Sequence, residues 1–147
     1  MRDSSLSCRR QRGFTLMEIM VVIFIIGLLV AIVAPNVLGN QDQAMQQKVR
    51  ADLATLEQAL DLYRLENLRY PTTEQGLAAL IEKPVSEPLP RAWRADGYLR
   101  RLPKDPWGQA YQYRSPGQHG RFDVYSLGAD GIAGGEGTDA DIGNWNL

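Results

Sequence analysis

The chain has 147 residues, enough for one globular domain and one additional segment. It carries 16 basic and 17 acidic side chains, a near-neutral balance that excludes the strongly basic surface expected of a nucleic-acid-binding protein. Its single cysteine, Cys8, excludes a disulfide bond within the chain.

Residues 1–13 form a short, polar and basic leader. Its basic residues are Arg2, Arg9, Arg10 and Arg12. Because positive charge is retained on the cytoplasmic side of a membrane, we expect this end to stay in the cytoplasm and the rest of the chain to be exported. We interpret the leader as a targeting segment rather than as part of the fold.

An apolar segment, residues 14–35, follows the leader. Between Phe14 and Ala34 the only charged side chain is Glu18. About 20 apolar residues in helical geometry cross the hydrocarbon core of a bilayer, so this segment is predicted to be a transmembrane helix. A carboxylate at mid-depth costs at least about 2.5 kcal/mol. Glu18 therefore requires either a cationic partner or a position near the lipid headgroups.

A second helical pattern occupies residues 36–67. Its apolar residues recur at intervals of three and four, which places them on one face of an amphipathic α-helix. They are Met45, Val49, Leu53, Leu56, Leu60 and Tyr63. Pro35 lacks an amide donor and is expected to kink or loosen the helix at the junction. One continuous helix and two helices hinged at Pro35 both fit the sequence.

Residues 68–147 are predicted to form a globular α/β region, beginning with a short helix and a loop. Thr72 and Gln75 have the spacing of a helix capping box. The helix that follows is expected to bury Leu77, Leu80 and Ile81. Prolines in the stretch 82–97 predict an ordered loop of irregular backbone.

A β-hairpin is predicted after this loop. Residues 110–114 alternate as a strand does, residues 122–127 form the return strand, and the glycines and proline between them suit the connection. His119, the only histidine, is expected to be a turn residue there. The predicted fold class is therefore α+β, with a long N-terminal helix packed on a small antiparallel sheet.

The C-terminal stretch 127–145 is rich in glycine and contains four acidic residues and no basic residue. Crowded carboxylates repel one another, and a divalent cation that takes 6 to 8 oxygen ligands would relieve the repulsion. The spacing is not that of an EF-hand. Composition alone favours a solvated turn and leaves a metal-binding loop as the alternative.

The junction of leader and apolar segment carries a recognisable motif. The residues Gly13-Phe14-Thr15-Leu16-Met17-Glu18, followed by apolar residues, resemble the cleavage and methylation motif of type IV pilins and type II secretion pseudopilins. The resemblance implies that prepilin peptidase cleaves after Gly13 and that Phe14 becomes the N-methylated first residue. It also implies that Glu18 pairs with the charged amino terminus of a neighbouring subunit.

Later segments resemble the major pseudopilin of the type II secretion system. They are Tyr70–Leu77, Asp105–Gly108, Ser126–Gly131 and Ala140–Trp145. The resemblance implies a pilin-like fold with a calcium ion in the C-terminal loop. Asp130 and Asp139 would be its first ligands, and the Leu127 carbonyl, Thr138 and Asp141 are further candidates. Glu136 would point outward.

The function implied by the resemblance is structural, with no enzymatic step. The chain would leave the inner membrane by polymerising into a periplasmic pseudopilus that drives the export of folded proteins across the outer membrane. Glu18 and Pro35 are assigned to assembly. The implied partners are copies of the chain, minor pseudopilins, prepilin peptidase, the inner-membrane assembly platform and the membrane itself, with no nucleic acid.

Three alternatives stay open. The chain could be a minor pseudopilin or a type IV pilin subunit with the same processing. It could be a membrane-anchored periplasmic binding module that does not polymerise. A hydrolase that uses Asp130 or Asp139 is the third, although the sequence offers no second catalytic group beside them.

Overall fold

The computed structural model describes residues 13–147, apart from the side chains of residues 33–40. The predicted leader lies outside the described residues except for Gly13. The described chain falls into two compact units, one ending at Asn40 and the other comprising Gln41–Leu147.

One α-helix, α1, spans Leu16–Asn67. Thr15 caps its first turn, because the Glu18 backbone N–H donates to the Thr15 hydroxyl at 3.2 Å and to the Thr15 carbonyl at 3.1 Å. Such a cap contributes about 1 kcal/mol to a helix. Helical backbone continues through Pro35. The kink expected at that residue stays a prediction.

The first half of α1 exposes its apolar side chains. Each large apolar side chain described from Phe14 to Ile32 keeps between 46% and 81% of its surface accessible. Contiguous apolar surface on this scale marks a region that another molecule covers. In residues 13–147 as described, no helix combines the length and the hydropathy of a bilayer-spanning segment.

The second half of α1 supplies the main face of the core. Its fully buried core-forming side chains, none more than 1% exposed, are Val49, Leu53, Leu56, Leu60 and Tyr63, and the polar side chain of Asn67 is equally buried at its end. This confirms the predicted amphipathic face from Val49 onward, whereas Met45, the first residue predicted on it, is half-buried. The core-forming side chains pack with apolar residues from the rest of the unit, namely Leu77, Leu80, Tyr111, Phe122, Val124 and Ile142. Each such side chain contributes roughly 1.5 to 3 kcal/mol through its burial.

The predicted capping box forms, but the helix after it is shorter and tighter than expected. The Gln75 N–H donates to the Thr72 hydroxyl at 3.2 Å, and the Thr72 N–H donates to the Gln75 side-chain oxygen at 3.1 Å. A 3-10 helix, η1, spans Leu77–Leu80. The prediction that Ile81 is buried is wrong, because three residues per turn align Leu77 with Leu80 and rotate Ile81 away to a half-buried position.

The proline-containing loop 82–97 is irregular, as predicted, and it is tied to the core by side chains. The Gln75 amide donates to the carbonyls of Ser86 and Pro88 at 2.9 and 3.1 Å. The buried side chain of Asn67 accepts a hydrogen bond from the Ala92 N–H at 3.0 Å. These bonds replace the regular backbone pairing that the loop lacks.

Three short antiparallel strands form one sheet in the order β1-β2-β3. They are β1 Gln112–Arg114, β2 Asp123–Ser126 and β3 Ile142–Gly143. Tyr113 pairs with Val124, and Ser126 pairs with Ile142. The predicted hairpin is confirmed, with His119 in its connection. Strand β3 was not predicted, because two residues after a glycine-rich acidic stretch have no readable alternation.

The Tyr98 hydroxyl offers a test of the contact between the loop and α1. It lies 2.9 Å from the Asn67 amide nitrogen and 2.9 Å from a Glu66 carboxylate oxygen. Burial, and then the hydrogen bond to Glu66, raise the pKa of Tyr98 from 10.0 to about 12. A raised folded pKa gives stability that is present below the unfolded pKa and is lost as pH rises through the folded value.

We therefore expect the thermal midpoint to fall between pH 10 and about 12. Tyr98→Phe should lower stability at neutral pH and make this alkaline fall shallower. Calorimetry together with absorbance titration of tyrosinate would measure both. An equally steep fall in the variant would contradict the assignment.

Candidate metal-binding loop and processing site

The predicted cleavage position is open to an enzyme. Gly13 and Phe14 are exposed and precede α1, so the bond between them lies outside helical structure. Apart from its neighbours in the chain, no atom of the residues that the structure describes lies within 4 Å of the place where a Gly13 side chain would begin. Cleavage after Gly13 and methylation of Phe14 stay predictions, and the geometry is compatible with both.

Glu18 lies in the first turn of α1 with an exposed side chain. A carboxylate at this position interacts favourably with the helix dipole. The salt bridges among the described residues do not include Glu18. Its predicted pairing with a neighbouring subunit remains a prediction.

The acidic stretch 127–141 is a loop closed at both ends by the sheet. It leaves β2 after Ser126 and returns at Ile142, and these two residues are partners in the ladder. Within the loop, the Ala129 N–H donates to the Thr138 carbonyl at 3.0 Å. A short 3-10 helix, η2, spans Gly137–Asp139. The candidate ligands from 127 to 141 are thus held in one closed loop.

Two glycines bring the backbone close to Asp139. Gly128 has a φ of 72°, and a side chain there would begin 2.6 Å from the Asp139 carbonyl carbon. Gly135 has a φ of 82°, and a side chain there would begin 2.5 Å from the main-chain carbonyl oxygen of Asp139. Any other residue at either position would be strained and would displace Asp139. Glycine at these two positions is therefore a packing requirement around one predicted ligand.

Asp141 provides the clearest sign that the loop suits a cation. One of its carboxylate oxygens accepts the Gly134 N–H at 3.0 Å. The other, Oδ1, is buried and has no hydrogen-bond partner among the described residues. A buried carboxylate oxygen without a donor costs free energy, and a bound cation removes that cost. The donor set of carboxylates, a hydroxyl and main-chain carbonyls fits calcium.

The other candidate carboxylates do not gather around a single point. Asp130 accepts the Ile132 N–H at 3.0 Å and so closes its own local turn. Across the described part of the chain, no three His, Cys, Asp or Glu side chains cluster as a metal site. Calcium binding here would therefore depend on the Leu127 carbonyl and Thr138 as well as on the acids.

Asp105 supports the loop from outside, a role that the sequence interpretation missed. Its buried carboxylate accepts the Trp107 N–H at 3.1 Å, the Gln109 N–H at 2.7 Å and the Ser126 hydroxyl at 2.7 Å. Gln109 in turn donates to the Gly128 carbonyl at 3.3 Å. The available signal was the Asp-Pro-Trp-Gly sequence, since an Asp side chain commonly closes such a turn.

His119 and Trp145 anchor the C-terminal end of the chain. Their rings stack with centroids 4.1 Å apart, and the His119 Nδ1 lies 3.3 Å from the buried Asp123 carboxylate. Asn144 also holds this end, because its side chain accepts the Val124 N–H at 3.1 Å. These contacts fix the strand that follows Asp141.

Two family models match the chain. The one described as type II secretion system protein G matches residues 36–145. The one described as the prokaryotic N-terminal methylation motif matches residues 8–34.

Individual proteins agree with these family matches. The type II secretion system core protein G of Aeromonas hydrophila is 59% identical over 139 residues, which cover 95% of each chain. The protein of the same name from Vibrio cholerae is 60% identical over 139 residues, covering 95% of this chain and 94% of that one. A crystal structure of the major pseudopilin of enterohaemorrhagic Escherichia coli is similar with a TM-score of 0.69 and 57% identity, covering 77% of this chain and 96% of that chain.

Proposed function

Because the chain belongs to the type II secretion system protein G family and is a structural subunit of the pseudopilus rather than an enzyme, we propose that it assembles through its apolar helix after loss of residues 1–13. The observation that carries this proposal is the exposure of every described large apolar side chain from Phe14 to Ile32. Copies of the same helix would bury that surface. A helical filament follows when such contacts are head-to-tail and do not close into a ring.

Before assembly, residues 14–35 would anchor the chain in the inner membrane. The arginines of the leader support a cytoplasmic N-terminus and a periplasmic globular region. Prepilin peptidase would remove the leader, and the inner-membrane platform would move the subunit from lipid to the pseudopilus. Minor pseudopilins are the further partners that we propose.

Within the filament, Glu18 would pair with the amino terminus at Phe14 of an adjacent subunit. Glu18 lies in the first turn of α1, and Phe14 precedes the helix by two residues. A buried ion pair specifies register more than it adds net stability. This pairing would give neighbouring helices one axial offset.

Calcium would hold the C-terminal loop through Asp130, Asp139, Asp141, Thr138 and the Leu127 carbonyl. The unpartnered Oδ1 of Asp141 supports this proposal. When bound, the ion would neutralise the crowded carboxylates and cross-link the two halves of the loop. The loop would then be rigid enough to present a defined surface.

The alternatives fare differently. The protein G match over residues 36–145 favours the major subunit over a minor pseudopilin or a type IV pilin. The hydrolase alternative is excluded because the family is structural. The family match also disfavours a membrane-anchored binding module that does not polymerise, for which an intact anchor in lipid without filaments would be expected.

Mass spectrometry of the protein isolated from a secreting cell tests the processing step. We expect a chain that begins at Phe14 and carries one added methyl group on its amino terminus. Replacing Gly13 with a bulky residue should leave the leader attached. A wild-type chain that retains Met1, or one that begins near Pro35, would contradict the proposal.

A further inference from the structure

An exposed groove lies at the C-terminal end of α1. It has a volume of about 500 Å³ and is lined by Asp61, Arg64, Leu65, Leu68 and Arg121. Leu65 and Leu68 keep 75% and 70% of their surface accessible. The described part of the Gln41–Leu147 unit therefore leaves two neighbouring leucines uncovered.

Leu68 occupies an unusual backbone conformation. Its φ is +62°, and it is the only non-glycine residue with a positive φ in the described part of the chain. Glycine or asparagine is usual at this position after a helix, because a side chain with a Cβ is strained there. A large, exposed apolar residue at a strained position indicates that its side chain has a role at the surface.

The rim of the groove is basic. Arg64 lies over the Tyr70 ring, 5.2 Å from its centroid, and Arg121 is exposed. The one acid in the groove, Asp61, accepts a hydrogen bond from the Tyr70 hydroxyl at 2.7 Å. Neither arginine takes part in the salt bridges of the described residues. The groove thus suits an apolar side chain flanked by acids.

The C-terminal loop presents such a side chain. Ile132 is 67% exposed, and its N–H is bonded to the Asp130 carboxylate, so it lies on the turn that Asp130 closes. Asp130 and Glu136 flank it, and no lysine or arginine follows Arg121 in the sequence. With one divalent cation bound, the four acids of the loop still leave a net negative charge.

The two surfaces lie at opposite ends of strand β2. Arg121 precedes the strand by two residues, whereas the loop leaves and returns at the Ser126–Ile142 pair. Four residues of strand extend over about 13 Å at 3.3 Å per residue. A contact between Ile132 and this groove would therefore join two different chains head-to-tail.

We infer that Ile132 of one subunit docks on Leu65 and Leu68 of a second copy of this chain. Glu136, which is exposed and is predicted to point away from the calcium ion, then faces the arginines of the neighbouring groove. The inference rests on the proposed assembly into a pseudopilus and adds a contact between globular units to the one between apolar helices. A contact of this type propagates along a filament without closing.

Chemical cross-linking between single cysteines tests the contact. The full chain carries Cys8→Ser, so that no native thiol remains, and the secretion system is expressed with calcium present. One tagged copy carries Leu68→Cys and a second copy carries Ile132→Cys. A short bis-maleimide should join the two copies into covalent dimers when they are expressed together. It should give no covalent dimer when either copy is expressed alone.

Val85→Cys is the matched control, because Val85 is exposed and belongs to neither surface. Paired with Ile132→Cys, it should give no dimer. If Leu68→Cys lowers the thermal midpoint, Leu65→Cys carries the same test from the other side of the groove. Filaments in which neither leucine position reacts above the Val85 control would overturn the contact and leave the proposed function intact. Absence of filaments from the parental chain would overturn both.

Discussion

Glu18→Ala is expected to abolish ordered filaments while cleavage after Gly13 continues. In the proposed filament the Glu18 carboxylate neutralises the amino terminus of a neighbour, so its removal leaves a buried positive charge. Breaking a buried ion pair by deleting one partner costs about 3 to 5 kcal/mol. Since 1.4 kcal/mol is a factor of ten, each subunit contact should weaken about 100-fold or more.

Sheared filaments and total membrane protein, compared by immunoblot and electron microscopy, would measure this effect. Glu74→Ala is the matched control, because Glu74 is an exposed acid outside the apolar helix. The control should polymerise as the parental chain does. Filaments of normal number and order from Glu18→Ala would refute the pairing.

Asp141→Asn is expected to remove the stabilisation that calcium gives to the globular unit. Asparagine keeps an acceptor for the Gly134 N–H but loses the charge that would bind the ion. Calcium at 100 times its dissociation constant would stabilise the parental chain by about 2.7 kcal/mol. For a domain of roughly 100 residues, this corresponds to an increase of about 10 °C in thermal midpoint.

Thermal unfolding in chelator and in millimolar calcium would measure the difference. Glu136→Gln should retain the calcium response, because Glu136 is exposed and is predicted to point away from the ion. Asp141→Asn should show the same midpoint in both conditions. A thermal midpoint of the parental chain that is the same in chelator and in calcium would contradict calcium binding by the loop.

The sequence predicted those elements in which many residues share one pattern. The five deeply buried residues from Val49 to Tyr63 follow a strict helical spacing, and the hairpin has alternation on both sides of a glycine-rich turn. The capping box was readable because Thr72 and Gln75 are three residues apart. Each prediction depended on a local period or spacing.

The features that were missed depend on contacts between distant residues. Strand β3 exists because Ile142 and Gly143 complete the ladder beside β2, not because of their own propensity. The Asp105 carboxylate accepts a hydrogen bond from Ser126, 21 positions away in the sequence, and no local pattern predicts that hydrogen bond. Ile81 was placed wrongly because a 3-10 turn was read with the period of an α-helix. The candidate ligands were named by resemblance, and the unpartnered Asp141 oxygen became visible only in three dimensions.

A cryo-electron-microscopic reconstruction of the assembled protein would show whether the filament is built on the apolar half of α1, because it locates that segment. We expect filaments of chains that begin at Phe14, with residues 14–32 packed against copies of themselves at the axis and excluded from water. Trimmed chains that stay monomeric with this segment in lipid or detergent would contradict this expectation, as would filaments whose apolar helices lie on the outside.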